Sequence, residues 1–494
     1  MDKSLIIIGA GVAGLSTGCY AQMNGYHSQI FEMHDKPGGV CTSWRRNGYT
    51  FDGCIEWLVG SSPGNPFYQI WQELGALPGQ PIVNHDELIR IEGTGGKALI
   101  FYANVDRLEQ QLKEVAPIDA EAIGEFCQTI RQLSQGDRLQ SFLLHAGSDN
   151  HDVPKWTHSM IQEFATRFQD PFLREAFLQG FGGYGTMVFL LLYLVTQNMK
   201  SAGYPIGGSL AFARAIERRY IRLGGEIHYE TRVERILVEH DRAVGVRLHN
   251  GVEHRADRVI SAADGHATIF EMLEGKYLDD EIRSYYTTWP LFPPIIQVSL
   301  GVARDFSSEP PRISLPLGEP ITIGGVVQSS LNLKHYCYDP TLAPPGKSVL
   351  ILLFVSDLEY WKEIAADHVR YEAAKRETAE TVIAQLEKRF PGLTRQVEAV
   401  DVATPLTYER YAGLWRGAFE GWLPTSKTFG HTMRTTLPGL QSFSMVGQWV
   451  SPGGGLPAVA QTGRTMIQAL CEQDGSTFTA QVPNAPLAGR DSSK

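Results

Sequence analysis

The chain lacks the long apolar run that a membrane-crossing helix needs. Its most apolar stretch, residues 187–195, is far shorter than the about 20 residues of a bilayer span. It also lacks a surplus of positive charge. With 44 Lys and Arg against 54 Asp and Glu, the formal charge is −10, which argues against nucleic acid and against electrostatic docking on anionic lipid. Cysteine is sparse. The six residues Cys19, Cys41, Cys54, Cys127, Cys337 and Cys471 form no CxxC pair and show no metal-ligand spacing. They read as reduced thiols in a cytoplasmic compartment. No secretory leader is expected either, because the N-terminal apolar run is short and ends in glycines, as a strand does. No Ser/His/Asp set and no internal repeat stand out.

What is present begins at the N-terminus. Leu5-Ile6-Ile7-Ile8 reads as a buried β-strand, Gly9-Ala10-Gly11-Val12-Ala13-Gly14 as a glycine turn opening a helix, and Ser28-Gln29-Ile30-Phe31 as a second strand that ends at Glu32. That order is the fingerprint of a dinucleotide-binding βαβ unit. Gly9 permits the tight turn, Gly11 lets the backbone approach a pyrophosphate, and Gly14 lets helix and strand pack closely. The helix start offers free N–H groups to phosphate, and Glu32 can accept from both ribose hydroxyls. The residues therefore predict an ADP-containing dinucleotide. At 494 residues with 43% hydrophobic content, the chain is long enough for about three domain-sized units and a large core.

A second glycine pair, Gly38-Gly39, follows the ribose acid and suggests backbone pressed against a flat or anionic ligand. From about residue 62 to 197 apolar residues recur at helical spacing, with Asn104 as an N-cap and Pro117 as a stop. The glycine-rich stretches at 93–96 and 180–185 have no preceding strand and no fingerprint helix, so neither is a second dinucleotide site. Residues 187–195 read as a buried helix, with a tunnel wall or a segment dipping into a bilayer surface as the alternatives. After Gly207-Gly208 an amphipathic helix and four short strands over 226–264 suit an extension of the first sheet. Strands at 295–300 and 349–355, a long helix over 368–390, a strand over 440–446 and a last helix ending at Cys471 complete the pattern. The polar stretch from 473 reads as disordered.

Taken together, Gly9-Ala10-Gly11-x-x-Gly14, Glu32, Gly38-Gly39, Gly48-Tyr49-x-Phe51-Asp52, Pro205-x-Gly207-Gly208, Ala262-Ala263-Asp264 and Gly447-x4-Pro452-Gly453-x-Gly455 resemble one flavoprotein family. It is the amine-oxidase-like group that contains phytoene desaturases, carotenoid isomerases and retinol saturases. The resemblance runs to about Ala469. It implies an α/β fold, a Rossmann-type FAD-binding domain of the glutathione-reductase kind with an inserted α+β substrate domain. On that reading the FAD-binding domain comprises 1–61, 201–289 and 419–472, the substrate domain 62–200 and 290–418, and 473–494 is a tail.

By motif matching, the family implies that Gly9, Gly11, Ala13 and Gly14 hold the pyrophosphate of FAD and Glu32 the adenosine ribose. Val233 would sit by the adenine and Gly39 and Val40 along the flavin. Gly447 and Gln448 would meet the ribityl chain, and Gly455, Leu456 and Ala458 the ring. Val40 stands where the desaturase branch has Arg, and Gln448 where Asp is frequent, which leaves the reaction direction open. The implied activity is hydride transfer at flavin N5 to or from a carbon–carbon double bond of a hydrophobic polyene or isoprenoid. Phe177, Phe181, residues 190–194, Trp289 and Phe292 are candidates to wall its pocket, with plain core as the alternative. Glu56 is the candidate catalytic acid–base group, with a structural ion pair as its rival. Two other functions stay open: a flavin amine oxidase on a smaller substrate, and a non-catalytic flavin-containing lipid carrier. The implied partner is a hydrophobic small molecule, with reversible contact to a membrane surface and an unidentified electron donor or acceptor.

Overall fold

The computed structural model describes residues 3–144, 154–181, 185–425, 428, 431 and 433–483. Ser4–Ile8 lies at the centre of a five-stranded sheet, flanked by Arg258–Ser261 and His27–Phe31, with Phe443–Met445 and Glu226–His228 at the edges. Every pairing in it is parallel. Leu5 to Ile8 are all buried, as a parallel strand covered on both faces requires. The helices Val12–Met23 and Leu456–Gln473 press together without bulk between them. A Cβ on Gly463 would come within 2.7 Å of the Thr17 nitrogen, and Ser16 Oγ donates to the Ala460 carbonyl at 2.7 Å. The helix Gly208–Arg222 is tied to the sheet by the Tyr220 hydroxyl, which donates to the Ser28 carbonyl at 2.7 Å.

The strands over 226–264 do not all extend this sheet. Only Glu226–His228 and Arg258–Ser261 join it, while Val233–Glu239, Arg242–Leu248 and Glu253–Arg255 form a separate antiparallel sheet. The Asn250–Gly251 turn reverses the chain too tightly for a parallel crossover, which needs a dozen or more residues.

A seven-stranded sheet forms the second half of the molecule, in the order Val397–Ala403, Ile295–Val302, Ser348–Val355, Val326–His335, Arg312–Ile323, Glu87–Glu92, Ala98–Tyr102. The strands near 295 and 349 fall where the sequence puts them. The hairpin 312–335 and the pair 87–102 do not, because Glu87–Glu92 and Ala98–Tyr102 are short strands inside a region dominated by helical spacing. The glycines at 93–96 form the turn between them. Beside this sheet, Val105–Val115 is capped by Asn104, whose Oδ1 accepts from the Asp106 and Arg107 nitrogens, as expected. The stretch at 180–185 lies partly outside the described residues.

The tail departs from expectation over 474–483. Phe478 packs 5.9 Å from the Tyr20 ring, the Thr479 nitrogen donates to Asn24 Oδ1 at 2.6 Å, and Arg219 donates to the Gln481 carbonyl at 2.8 Å. One apolar anchor and these backbone bonds hold a segment whose composition alone suggested disorder. Residues 484–494 lie outside the described ones.

Candidate functional site

The carboxyl ends of the parallel strands open onto a cavity of about 1020 Å³ that runs between the two halves of the molecule. Its wall includes Gly9, Gly11, Ala13, Glu32, Gly39, Val40, Glu56, Val233, Gly447, Gln448, Gly455, Leu456 and Ala458. Residues more than 440 positions apart in sequence thus converge on one space. Gly14 is the exception. A Cβ there would lie 2.0 Å from the Gly9 carbonyl oxygen and 3.3 Å from Ala262 Cβ, so its role is close packing of helix on strand.

The wall fits a dinucleotide. Gly11 caps the helix Val12–Met23 with extended backbone and no side-chain bond, and no acidic residue lies in the first turn. The first-turn N–H groups therefore face the cavity without a protein anion. A Cβ built on Gly11 would meet no protein atom within 4 Å, and on Gly455 likewise, so open space stands where a ligand would press. The second glycine pair lies directly on the first turn. Gly38 N donates to the Ala10 carbonyl at 2.9 Å, and a Cβ on Gly39 would be 3.5 Å from Gly11 Cα.

Glu32 is buried at the end of its strand. One carboxylate oxygen accepts from the Ala10 nitrogen at 2.6 Å and the other from the His34 nitrogen at 2.8 Å. Burial pushes its carboxyl up from the ordinary value, and these backbone donors oppose the rise. Each oxygen keeps a lone pair for a hydroxyl, so Glu32 braces the glycine turn and faces the cavity at once. Asp52 and Gly208 explain each other similarly. Asp52 accepts from the Ser209 nitrogen at 2.6 Å, and a Cβ on Gly208 would strike its carboxylate at 2.2 Å.

The cavity wall also includes the apolar side chains of Trp57, Leu58, Phe67, Val188, Phe189 and Leu192. Among the proposed pocket residues only Leu192 belongs to this wall. Phe177, Leu190, Leu191 and Leu194 are buried in the helical core, Phe181 packs against it, and Trp289 and Phe292 lie off the cavity. The helix Met187–Asn198 has no exposed described residue, so it does not offer a face to a bilayer. Trp44 and Arg46 both hydrogen-bond Asp401 on the outer surface rather than reaching the cavity.

Glu56 lines the cavity, but its surroundings are not apolar alone. Lys334, 8% exposed, forms an ion pair with it, and the Arg312 guanidinium lies 4.0 Å away. Sequence reading missed Lys334, Glu420 and Arg416 at this site and gave Asp264 no role beyond its place in the Ala262-Ala263-Asp264 motif. Asp264 accepts from the Ala267 and Trp415 nitrogens at 2.9 Å each and so ties the end of strand Arg258–Ser261 to the segment carrying Arg416, whose φ of 55° is left-handed. Burial pushes Asp264 up to about 7 against those hydrogen bonds. An acid inside the apolar run Phe419-Glu420-Gly421-Trp422 was the available signal for Glu420.

The chain matches the family described as flavin containing amine oxidoreductase over residues 12–469. It belongs to that family. Prolycopene isomerase of Arabidopsis thaliana is 25% identical, with 98% of this chain and 85% of that protein covered. Phytoene desaturase (lycopene-forming) of Pseudescherichia vulneris is 25% identical, covering 95% and 99%. All-trans-retinol 13,14-reductase of Danio rerio is 22% identical, covering 85% and 77%. Among solved structures, an oxidoreductase from Methanosarcina mazei aligns with a TM-score of 0.64 at 17% identity over 94% of this chain and all of that one. Cyclohexylamine oxidase from Brevibacterium oxydans aligns at 0.59 and 16% over 95% and 100%, which shows the same fold. The chain is an FAD-dependent flavoprotein of the α/β class, with the Rossmann-type sheet as its nucleotide-binding core.

Two expectations follow for the cofactor. Heat-denatured holoprotein should release FAD and no FMN on chromatography, because Glu32 and the glycine turn lie where only an adenosine half could engage them; released FMN would contradict this. Glu32→Ala removes an acceptor from two backbone N–H groups and from the cavity. A loss of ~1–3 kcal/mol per charged hydrogen-bonding group implies an FAD Kd weakened by about 5- to 150-fold, measurable by titration of the apoprotein. An unchanged Kd would leave Glu32 a brace only.

Proposed function

We propose that this protein is an FAD-dependent oxidoreductase or isomerase that acts on carbon–carbon double bonds of a hydrophobic polyene or isoprenoid. The observation that carries the reading is the make-up of one cavity wall: the glycine-lined strand ends and Glu32, which suit a nucleotide, together with the apolar side chains of Trp57, Phe67, Val188, Phe189 and Leu192. A polyene offers almost no polar group to grip, so shape and dryness must position it. The named activities of the prolycopene isomerase, phytoene desaturase and retinol reductase relatives, which match most of the chain, support the same substrate class.

The chain's own groups have distinct tasks. Gly9, Gly11 and Ala13 would receive the diphosphate, Glu32 the ribose, Val233 the adenine, and Gly39, Val40, Gly447 and Gln448 the middle of the cofactor. The start of Leu456–Gln473, at Gly455, Leu456 and Ala458, points the positive end of an 18-residue helix at the cavity, with no acidic residue in its first turn. That end favours negative charge on a ligand beside it. When bound, FAD supplies hydride exchange with a carbon centre. The apolar side chains of the wall would exclude water, and a carboxyl group on the same wall would hold the proton.

The test is incubation of the protein, with its flavin oxidised or chemically reduced, with a panel of polyenes and a panel of amines, reading products by mass and retention. Conversion of a polyene in either flavin state is expected. Oxidation of an amine with no change in any polyene would overturn the reading in favour of an amine oxidase, and FAD unaffected by either panel would favour a carrier.

A further inference from the structure

We propose that Glu420, and not Glu56, exchanges the proton with the substrate carbon, with Lys334 and Glu56 as its positioning residues. The proposal rests on the polyene reading above. Glu420 lines the cavity on a segment held by the stretch at Phe292 on one side and the Gly453–Gly454 loop on the other. Phe292 N donates to the Gly421 carbonyl at 2.9 Å, Gly453 N donates to the Trp422 carbonyl at 3.1 Å, and a Cβ on Gly454 would lie 2.7 Å from the Glu420 carbonyl oxygen. This places Glu420 beside the loop that opens the Leu456–Gln473 helix.

The carboxyls on the wall differ in what holds them. Glu32 and Asp264 are each bound by backbone N–H groups. Glu56 is engaged by the Lys334 side chain and lies 4.0 Å from the Arg312 guanidinium, so its carboxylate is already taken up by two basic partners. A carboxylate so held is a poor proton donor. The Glu420 carboxyl receives no hydrogen bond from any described residue, and Lys334 is the charge that acts on it. Burial favours its neutral form and pushes it up to about 7, while Lys334, whose own amine burial pushes down to about 7, supports the ionised form only when protonated. Both forms are therefore within reach near neutrality, which is what proton exchange requires.

The cluster also has a route for the proton's return. A second space of about 30 Å³ shares Glu56 and Trp57 with the main cavity and is walled by Lys334, Arg312, His85, Tyr336 and Tyr338. Arg312 Nε and His85 Nε2 have no hydrogen-bond partner there. A space that holds unpaired polar groups and has room for one water suits a bridging solvent molecule. In the chemical step the Glu420 O–H bond breaks and a C–H bond forms at one carbon from the π electron pair. The neighbouring carbon is left electron-deficient and stabilised by conjugation. The Glu420 carboxylate then takes back that proton, or one from the carbon next to the cationic centre, and the C–H electron pair re-forms a double bond, so the step consumes no oxidant or reductant.

The experiment compares holoenzyme carrying Glu420→Gln, Glu420→Asp, Lys334→Met or Glu56→Gln with the wild type. It measures polyene conversion in D2O, deuterium uptake into product, bound FAD, and the infrared band of protonated carboxyl at neutral pH. Glu420→Gln should keep its FAD, lose ~10²–10⁴-fold in turnover, lose deuterium uptake and remove one protonated-carboxyl band. Lys334→Met should strengthen that band, and Glu56→Gln, which leaves Lys334 to Glu420 alone, should weaken it. If Glu420→Gln does not fold, Glu420→Asp with FAD intact and turnover reduced carries the same conclusion. Wild-type turnover and deuterium uptake in a Glu420→Gln enzyme would overturn the proposal. Wild-type protein that converts no polyene would instead overturn the functional reading, and absence of a band sensitive to Glu420 would then overturn this one as well.

Discussion

Leu191→Asp and Leu194→Asp should each unfold the helical part of the protein. The two side chains are 0% and 2% exposed, inside a cluster that also holds Phe126, Phe164 and Phe177. Within it the rings of Phe168 and Phe177 stack at 5.0 Å, and Phe101 meets Phe177 edge-on at 5.4 Å, so no slack exists to admit water. A carboxylate placed there is set among the apolar side chains of that cluster, and burying an unpaired charge costs far more than the several kcal/mol by which a domain is stable. The loss should be roughly 4 kcal/mol or more, at the extreme of single substitutions. Thermal melting followed by circular dichroism, with recovery of soluble protein, measures it. Leu192→Asp is the internal control. Leu192 is partly buried and lines the cavity, so that variant should fold and lose affinity for apolar ligands instead. Had the helix offered a bilayer face, the first two variants would fold normally and lose only sedimentation with liposomes. Normal melting of Leu191→Asp would thus return the segment to the surface.

The nucleotide half was legible because its signals are local. Strand, glycine turn, helix and acid over 4–32 are fixed by a dozen residues whose backbone needs no distant partner, and the structure places Gly9, Gly11 and Glu32 on one wall as the spacing implies. The apolar part of the wall was not legible in the same way. Phe177 and Leu192 are equally hydrophobic in sequence, and only the packing of Met187–Asn198 against the helical cluster sends one inward and the other to the cavity. Glu56 shows the same limit. Its neighbours Ile55, Trp57 and Leu58 are apolar along the chain, yet Lys334 reaches it from a strand 278 positions away. A residue's charge partner is a property of the fold, so a carboxyl in an apolar run can be either a proton carrier or half of an ion pair. The fold assigns the second to Glu56 and leaves Glu420 the less restrained. Residues 474–483 erred for a related reason, since one phenylalanine against Tyr20 outweighs the polar composition around it.

Two glycines of the same turn should fail in opposite ways when each is changed to alanine. At Gly14 the added Cβ would stand 2.0 Å from the Gly9 oxygen and 3.1 Å from the Gly9 carbonyl carbon. Both are backbone atoms, and Gly9 itself holds φ at +97°, a conformation with little freedom to yield. The helix Val12–Met23 must therefore move off the central strand, but Gly463 has brought Leu456–Gln473 against its other side. Overpacking of this kind costs typically ~1–3 kcal/mol and more where backbone cannot relax. Gly14→Ala should lower the apoprotein's Tm by many degrees and abolish FAD retention with it. At Gly11, φ is −64° and the Cβ meets no protein atom. Gly11→Ala should leave the apoprotein Tm within experimental error of wild type, yet weaken FAD binding by tenfold or more, because the methyl occupies the space beside the helix start where a phosphate would approach. Apoprotein melting and FAD titration of the two variants separate the roles. A Gly11→Ala protein that binds FAD normally would move the diphosphate away from this turn, and a Gly14→Ala apoprotein that melts like wild type would show that the turn can give where its backbone contacts say it cannot.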